Sequence, residues 1–150
     1  MSVNECLEEL LRLTRSDLDA RGVAVLNLTA SDLPLAMTDR VQLQQVLFNL
    51  IVNACDAMES NPPGARMLTF TTFIAENEMR IGVLDCGVGL PDDVEALFQP
   101  FHTTKEWGLG MGLSICRTLV TAHRGRLWAE RRIEGGAAFY IALPLAKEGA

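Results

Sequence analysis

An α+β two-layer sandwich, with three helices packed on one face of a mainly antiparallel mixed sheet, is the fold this sequence predicts. Two observations carry that expectation. Apolar residues recur at helical spacing in stretches that open at caps and stop at Gly or Pro, and two pairs of strand-like runs are joined by short polar turns. Helices and hairpins mixed in this order suit helices layered over one sheet.

Residues 3–20 set Leu7, Leu10, Leu11, Thr14 and Leu18 on one stripe, an amphipathic helix ending near Gly22. Residues 23–30 read as a strand, followed by a loop holding Asp32 and Pro34. Asp39 and Gln42 have the spacing of a capping box, so a long helix should start at Asp39 and run to about Glu59. Asn61-Pro62-Pro63-Gly64 then stops it. Strands over 67–75 and 79–85 should pair around Glu76-Asn77-Glu78, and Pro91-Asp92-Asp93 introduces a short helical turn ending at Phe98. Residues 99–111 lack apolar periodicity and read as a mobile loop. A helix over 112–123 follows, and strands near 126–133 and 137–143 close the chain, turning at Glu134-Gly135-Gly136.

The 150 residues are expected to form a single domain, long enough to bury roughly two thirds of the unfolded surface. A hydrophobic content of 49% with 21% charged residues is that of an ordinary soluble globular protein. A net charge of −6 argues against a nucleic-acid-binding face, which needs clustered Lys and Arg. No apolar run approaches the roughly 18 residues of a membrane helix, and the N-terminus lacks a signal-peptide pattern. A cytoplasmic domain, monomeric by itself and without direct membrane contact, is expected. Cys6, Cys55, Cys86 and Cys116 are scattered without a C-x-x-C pair and read as reduced, mostly buried thiols. With His102 and His123 as the only histidines, no zinc site is expected; His123 reads as a residue at a helix C-terminus.

Four segments carry chemistry. Asn49 and Asn53 sit one helical turn apart inside the apolar run 46–54, so both carboxamides share one face. Amides buried there without partners would cost a few kcal/mol, roughly, so a polar ligand should face that stripe. Asp85 ends a strand-like run and precedes Gly87 and Gly89; its carboxylate can accept from an N–H donor such as the adenine amine, and the glycines admit a flat ring. Gly108, Gly110 and Gly112 run into the helix beginning Leu113-Ser114-Ile115, where free backbone N–H groups suit phosphate. Phe98 and Phe101 bracket a stretch leading to Lys105, an arrangement that can anchor a flap and bring a cation to a phosphate. Each segment taken singly also has a bland reading, as an ordinary turn, hinge or surface lysine.

Taken together, their order and spacing resemble the GHKL (Bergerat-fold) ATP-binding domain, and within it the catalytic domain of bacterial sensor histidine kinases. Residues 44–57 are similar to its N box, Asp85 to Gly89 to its G1 box, Phe98 to Lys105 to its F box, and Gly108 to Gly112 to its G2 box. The Thr103-Thr104-Lys105 run is most similar to the nitrogen-regulation and oxygen-sensing types. The resemblance implies ATP and Mg²⁺ as cofactors, with Asn53 ligating the metal and Asn49 helping to hold it and the phosphates. It implies that Asp85 takes the adenine amine, that Gly87 and Gly89 let the base pack closely, and that Lys105 neutralises the terminal phosphates. Gly108, Gly110, Met111, Gly112 and Leu113 would line the phosphates, and Asp56 would complete the ATP contacts without reaching the γ-phosphate. The implied partners are a histidine-bearing dimerisation domain and, downstream, a response regulator.

Two departures from the family pattern stand out. Gly136 is followed by Ala137 where relatives usually carry Thr, which removes a polar contact near the base. A His followed by Glu or Asp in a long helix, the phosphoacceptor pattern, does not occur in these 150 residues. The family also contains ATPases and serine kinases, and a nucleotide-binding module without catalysis is a third alternative. In those hydrolases and serine kinases the position of Asn49 is typically a Glu acting as general base. An imidazole acceptor already has a lone pair and needs no such base.

Overall fold

The computed structural model describes residues 1–99 and 112–146. Helix α1, Val3–Ala20, is opened by Ser2, whose side chain accepts from the Glu5 amide, and buries Val3, Cys6, Leu7, Leu10, Thr14 and Leu18. That spacing is one face of a 3.6-residue helix. Thr14 is tolerated there because its hydroxyl donates to the Leu10 carbonyl at 2.9 Å. Strand β1, Ala24–Thr29, follows.

Helix α2, Arg40–Ala57, starts where its cap requires: the Asp39 carboxylate accepts from the Gln42 amide at 2.9 Å. It packs between α1 and α3 (Gly112–Ala122) and lies over the sheet. Strands β2, Met67–Ala75, and β3, Glu78–Leu84, are joined by Glu76 and Asn77, both at positive φ (52° and 63°). Two such residues make the primed turn whose twist matches a hairpin. A 3-10 turn over Val94–Phe98 leads out of this half, and β4 (Arg126–Arg131) and β5 (Ala137–Pro144) close the fold.

The sheet order is β1-β2-β3-β5-β4, with β1 parallel to β2 and every other pair antiparallel. The parallel pair requires a long crossover, and α2 provides it. Leu68 and Phe70 of β2, Met79, Ile81 and Val83 of β3, and Phe139, Ile141 and Leu143 of β5 are buried with Leu47, Leu50 and Met58 in one core. The opposite sheet face carries Trp128 stacked on Tyr140 (5.7 Å), with the Arg80 and Arg126 guanidiniums 5.6 and 5.0 Å from the indole centre.

The predicted architecture and its element order match this fold. The differences are at the ends. Strand β4 stops at Arg131 rather than 133, because the Gly135 amide turns back to the Arg132 carbonyl (3.1 Å) and closes a five-residue loop. The third helix ends at Ala122, one residue early, and the His123 amide bonds the Val120 carbonyl (3.1 Å). The loop expected over 99–111 lies, from residue 100 onward, outside the described residues. Cys6, Cys55 and Cys116 are buried and Cys86 is half-buried, all four as free thiols.

Leu50 is fully buried where α2 meets the sheet. Leu50→Ala should cost about 3 kcal/mol of stability, measured as a lower denaturant midpoint with an unchanged slope. A loss well under half of that would mean that α2 is not the keystone of the core.

Candidate functional site

Asp85 is the residue directly after β3, and it is 1% exposed. Its own amide continues the ladder to the Ala137 carbonyl at 2.9 Å. Its Oδ1 accepts from the Gly87 amide (2.9 Å) and the Ala137 amide (3.3 Å), while Oδ2 is buried with no partner among the described residues. A buried carboxylate oxygen left open is costly, and functional sites are where such groups persist. Burial pushes this carboxyl above the usual carboxylate range; the two amides and the Arg132 charge pull it part of the way back.

Backbone encloses Asp85 on two sides. A Cβ at Gly87 would lie 2.2 Å from the Ala57 carbonyl oxygen, and the Val88 amide donates to that same oxygen at 3.0 Å. The loop after Asp85 therefore caps the last turn of α2, satisfying a carbonyl the helix leaves unpaired. On the other side, Gly136 has φ +96°, and a Cβ there would lie 2.1 Å from the Asp85 carbonyl oxygen. Only glycine fits either position. Asn61, read from the sequence only as part of a helix stop, donates to the Cys86 and Ala65 carbonyls, both at 2.9 Å, and fixes the loop from below.

Asn49 and Asn53 are both half-buried on α2, and Asn53 lies one turn before Ala57, where the Asp85 loop docks. The Asn49 carboxamide lies against the start of α3: a Cβ at Gly112 would be 3.4 Å from its Oδ1, and it hydrogen-bonds the buried Cys116 thiol, which burial pushes up to about 11. Asp56 pairs with Arg21 at the C-terminus of α1 (2.8 Å). Leu113 sends its side chain into the core. Gly89 follows Gly87 at φ +84°. The structure thus brings the N-box helix, the Asp85 loop and the first turn of α3 together. Phe101, His102, Lys105, Gly108, Gly110 and Met111 lie outside the described residues.

Phe98 is buried, edge-on to Phe139 at 6.3 Å, with the Arg117 guanidinium 3.9 Å from its ring centre. Arg117 also grips Glu95 with two bonds (2.6 and 3.2 Å) and donates to the Leu127 carbonyl. It thereby ties the 3-10 turn to α3 and β4. The sequence reading missed both Arg117 and Arg132, since neither stands in a motif and both act across long chain separations.

The comparisons with known proteins converge on one family. Residues 38–147 match the model of the histidine kinase-, DNA gyrase B- and HSP90-like ATPases. The chain is similar to Sensor protein FixL of Bradyrhizobium diazoefficiens, 47% identical over 76% of this chain and 23% of that protein. It is also similar to the C4-dicarboxylate transport sensor protein DctS of Rhodobacter capsulatus, 38% identical over all of this chain and 23% of that protein. The chain therefore spans about a quarter of these two relatives. Among solved structures, the catalytic domain of histidine kinase ThkA superposes with a TM-score of 0.85 at 30% identity, covering 97% of this chain and 93% of that one. Full-length ShkA in complex with AMPPNP gives 0.84 at 26% identity, over all of this chain and 31% of that one. A complex of ThkA with the response regulator protein TrrA gives 0.82 at 29% identity, over all of this chain and 42% of that one. By its sequence, its sheet order and the enclosure of Asp85, the chain belongs to the histidine kinase-, DNA gyrase B- and HSP90-like ATPase family.

Proposed function

We propose that this chain is the ATP-binding catalytic part of a two-component sensor histidine kinase. It binds Mg-ATP and passes the γ-phosphoryl group to a histidine on a dimerisation and phosphoacceptor domain outside these 150 residues, for onward transfer to a response regulator. The observation that carries the reading is the open Oδ2 of Asp85, a buried acceptor of the kind the adenine amine needs. The AMPPNP held by ShkA and the regulator bound by ThkA support it by likeness.

Asn53, with Asn49 one turn earlier, offers amide oxygens, which suit a hard cation whose shell is completed by phosphate oxygens and water. Among the described residues no cluster of three His, Cys, Asp or Glu offers another metal site. Bound Mg²⁺ would neutralise the triphosphate. By the resemblance, Lys105 and the backbone of Gly108, Gly110, Met111, Gly112 and Leu113 are assigned to the phosphates. Phosphoryl transfer is mostly positioning and charge neutralisation, so no protein nucleophile is needed here. No described helix is long and apolar enough to cross a membrane, and the proposed place of work is the cytoplasm.

Asp85→Asn puts a donor where the amine needs an acceptor. By calorimetry ATP should bind at least about tenfold more weakly, the loss of one charge-assisted bond, and GTP should bind the parent poorly. Equal affinity for ATP and GTP would remove Asp85 from the base site.

The same residue ties stability to pH. Its folded value is raised above the ordinary 3.8, so the folded chain holds this proton longer than the unfolded one. Its contribution is fully present below the unfolded value and is lost as pH rises through the folded value. Ligand-free Asp85→Asn should therefore gain on the parent in denaturant titrations as pH is raised above about 4, the unfolded value. A stability gap independent of pH would mean that Asp85 titrates normally.

With an added acceptor-helix fragment, the chain should place acid-labile, base-stable phosphate on histidine, and Asn53→Ala should abolish both this transfer and the Mg²⁺ enhancement of nucleotide binding. The chain alone should hydrolyse ATP far more slowly than about 1 per second, the ordinary enzyme range. Fast hydrolysis without transfer would make it an ATPase instead.

A further inference from the structure

The β4–β5 loop carries two adjacent arginines that no motif accounts for. Arg131 donates to the carbonyls of Leu90 (2.9 Å) and Pro91 (2.7 Å), fastening the segment that follows the Asp85 loop. Arg132 donates through Nη1 to the Asp85 carbonyl at 2.7 Å. The tip beyond them faces outward, with Ile133 fully exposed and Glu134 largely so. Glu134 meets Arg132 at 3.4 Å, but an exposed pair of this kind contributes little. It does not explain why the Arg132 side chain is only 22% exposed. What the half-buried guanidinium faces is Asp85.

We propose that Arg132 is a positioning residue for base recognition: its guanidinium pins the Asp85 main chain and lends the buried carboxylate the positive charge that keeps it an acceptor. The inference rests on the nucleotide reading above. Ala137 gives the carboxylate its backbone amide (3.3 Å), and its methyl side chain has no hydroxyl to add. The same hairpin adds a cation, Arg132, at the Asp85 main chain. Among the described residues, the titratable and charged groups facing Asp85 are few. The hairpin brings Arg132, with Glu134 behind it, and β5 brings only the Ala137 amide. From α2 comes Cys55, whose buried thiol is raised above its ordinary value and stays neutral across the range of the test. Among the described residues, Arg132 is thus the group whose charge favours the ionised carboxylate.

ATP affinity measured by calorimetry from about pH 5 to about pH 8 tests this on the full chain. Arg132→Gln should weaken ATP binding about tenfold at neutral pH and move the acid limb of binding upward by about half a unit or more. Arg132→Lys, which keeps the charge but not the reach of the guanidinium, should bind ATP about threefold more weakly with its limb near that of the parent. Arg131→Gln loosens the neighbouring segment without touching the charge on Asp85, and should leave the limb in place. A purely structural arginine would lower the melting temperature without moving the limb, and that result overturns the proposal. So does an Arg132→Gln variant with the parent's affinity and limb. Should Arg132→Gln fail to fold, Arg132→Lys decides, and affinity equal to the parent's overturns the role. If the parent itself does not bind ATP, the nucleotide reading falls and takes this inference with it. If the parent prefers ATP to GTP through Asp85 while Arg132→Gln changes nothing, only the role of Arg132 is lost.

Discussion

One buried carboxylate sets the terms for the rest of this site. Moving an ionised carboxylate out of water costs several kcal/mol, roughly, even after relaxation, and Asp85 is almost wholly enclosed. The fold offsets part of that cost on one oxygen, with two amides, and leaves the other oxygen open. Everything adjacent follows from keeping that oxygen in place. The end of α2 must press against Gly87, and Gly136 of the β4–β5 loop against the Asp85 backbone, because a side chain at either glycine would push the segment out of register. The two amides on Oδ1 also rule out rotation of the carboxylate without loss of two bonds.

Helix α2 joins this constraint to the core. Leu43, Val46, Leu47, Leu50, Ile51, Ala54 and Cys55 anchor it, so the half-buried Asn49 and Asn53 stand on a wall that cannot easily shift. Its C-terminal carbonyl receives the Asp85 loop, and its middle receives Gly112. A single rigid element therefore fixes the distance between the Asp85 loop and the start of α3. Arg117 performs a similar service on the far side, holding Phe98 and α3 to the same strand.

The legible part of this molecule was what local pattern encodes. The stripe of α1, the Asp39 cap and the polar turns at 76–77 and 134–136 each express a short-range rule, and the elements appear where those rules put them. The end of β4 was misjudged because the Gly135–Arg132 closure is a matter of loop geometry that strand propensity does not see. The parallel pairing of β1 with β2 has no periodic signature distinguishing it from an antiparallel one. Asp85 could be singled out from its glycines. The partners of its Oδ1 and main chain could not all be read, since Ala137 and Arg132 arrive from the other end of the chain. Arg131 and Arg132 look in sequence like a solvated basic pair, and only their partners reveal otherwise.

The carboxylates on α2 bear on the choice of acceptor. A hydroxyl or a water must lose a proton to attack phosphorus, and a base for that purpose must be close and uncommitted. On the proposed reading the position for such a base on α2 is Asn49, an amide already engaged with the Cys116 thiol and packed against Gly112. The acid nearest to the asparagine pair on that helix, Asp56, is turned toward Arg21 and held there at 2.8 Å. Redirecting it would break a half-buried ion pair that also ties α1 to α2. The helix therefore presents neutral amides where a hydrolase would need a carboxylate. On the reading proposed above, an imidazole acceptor, which brings its own lone pair, needs no carboxylate from this helix.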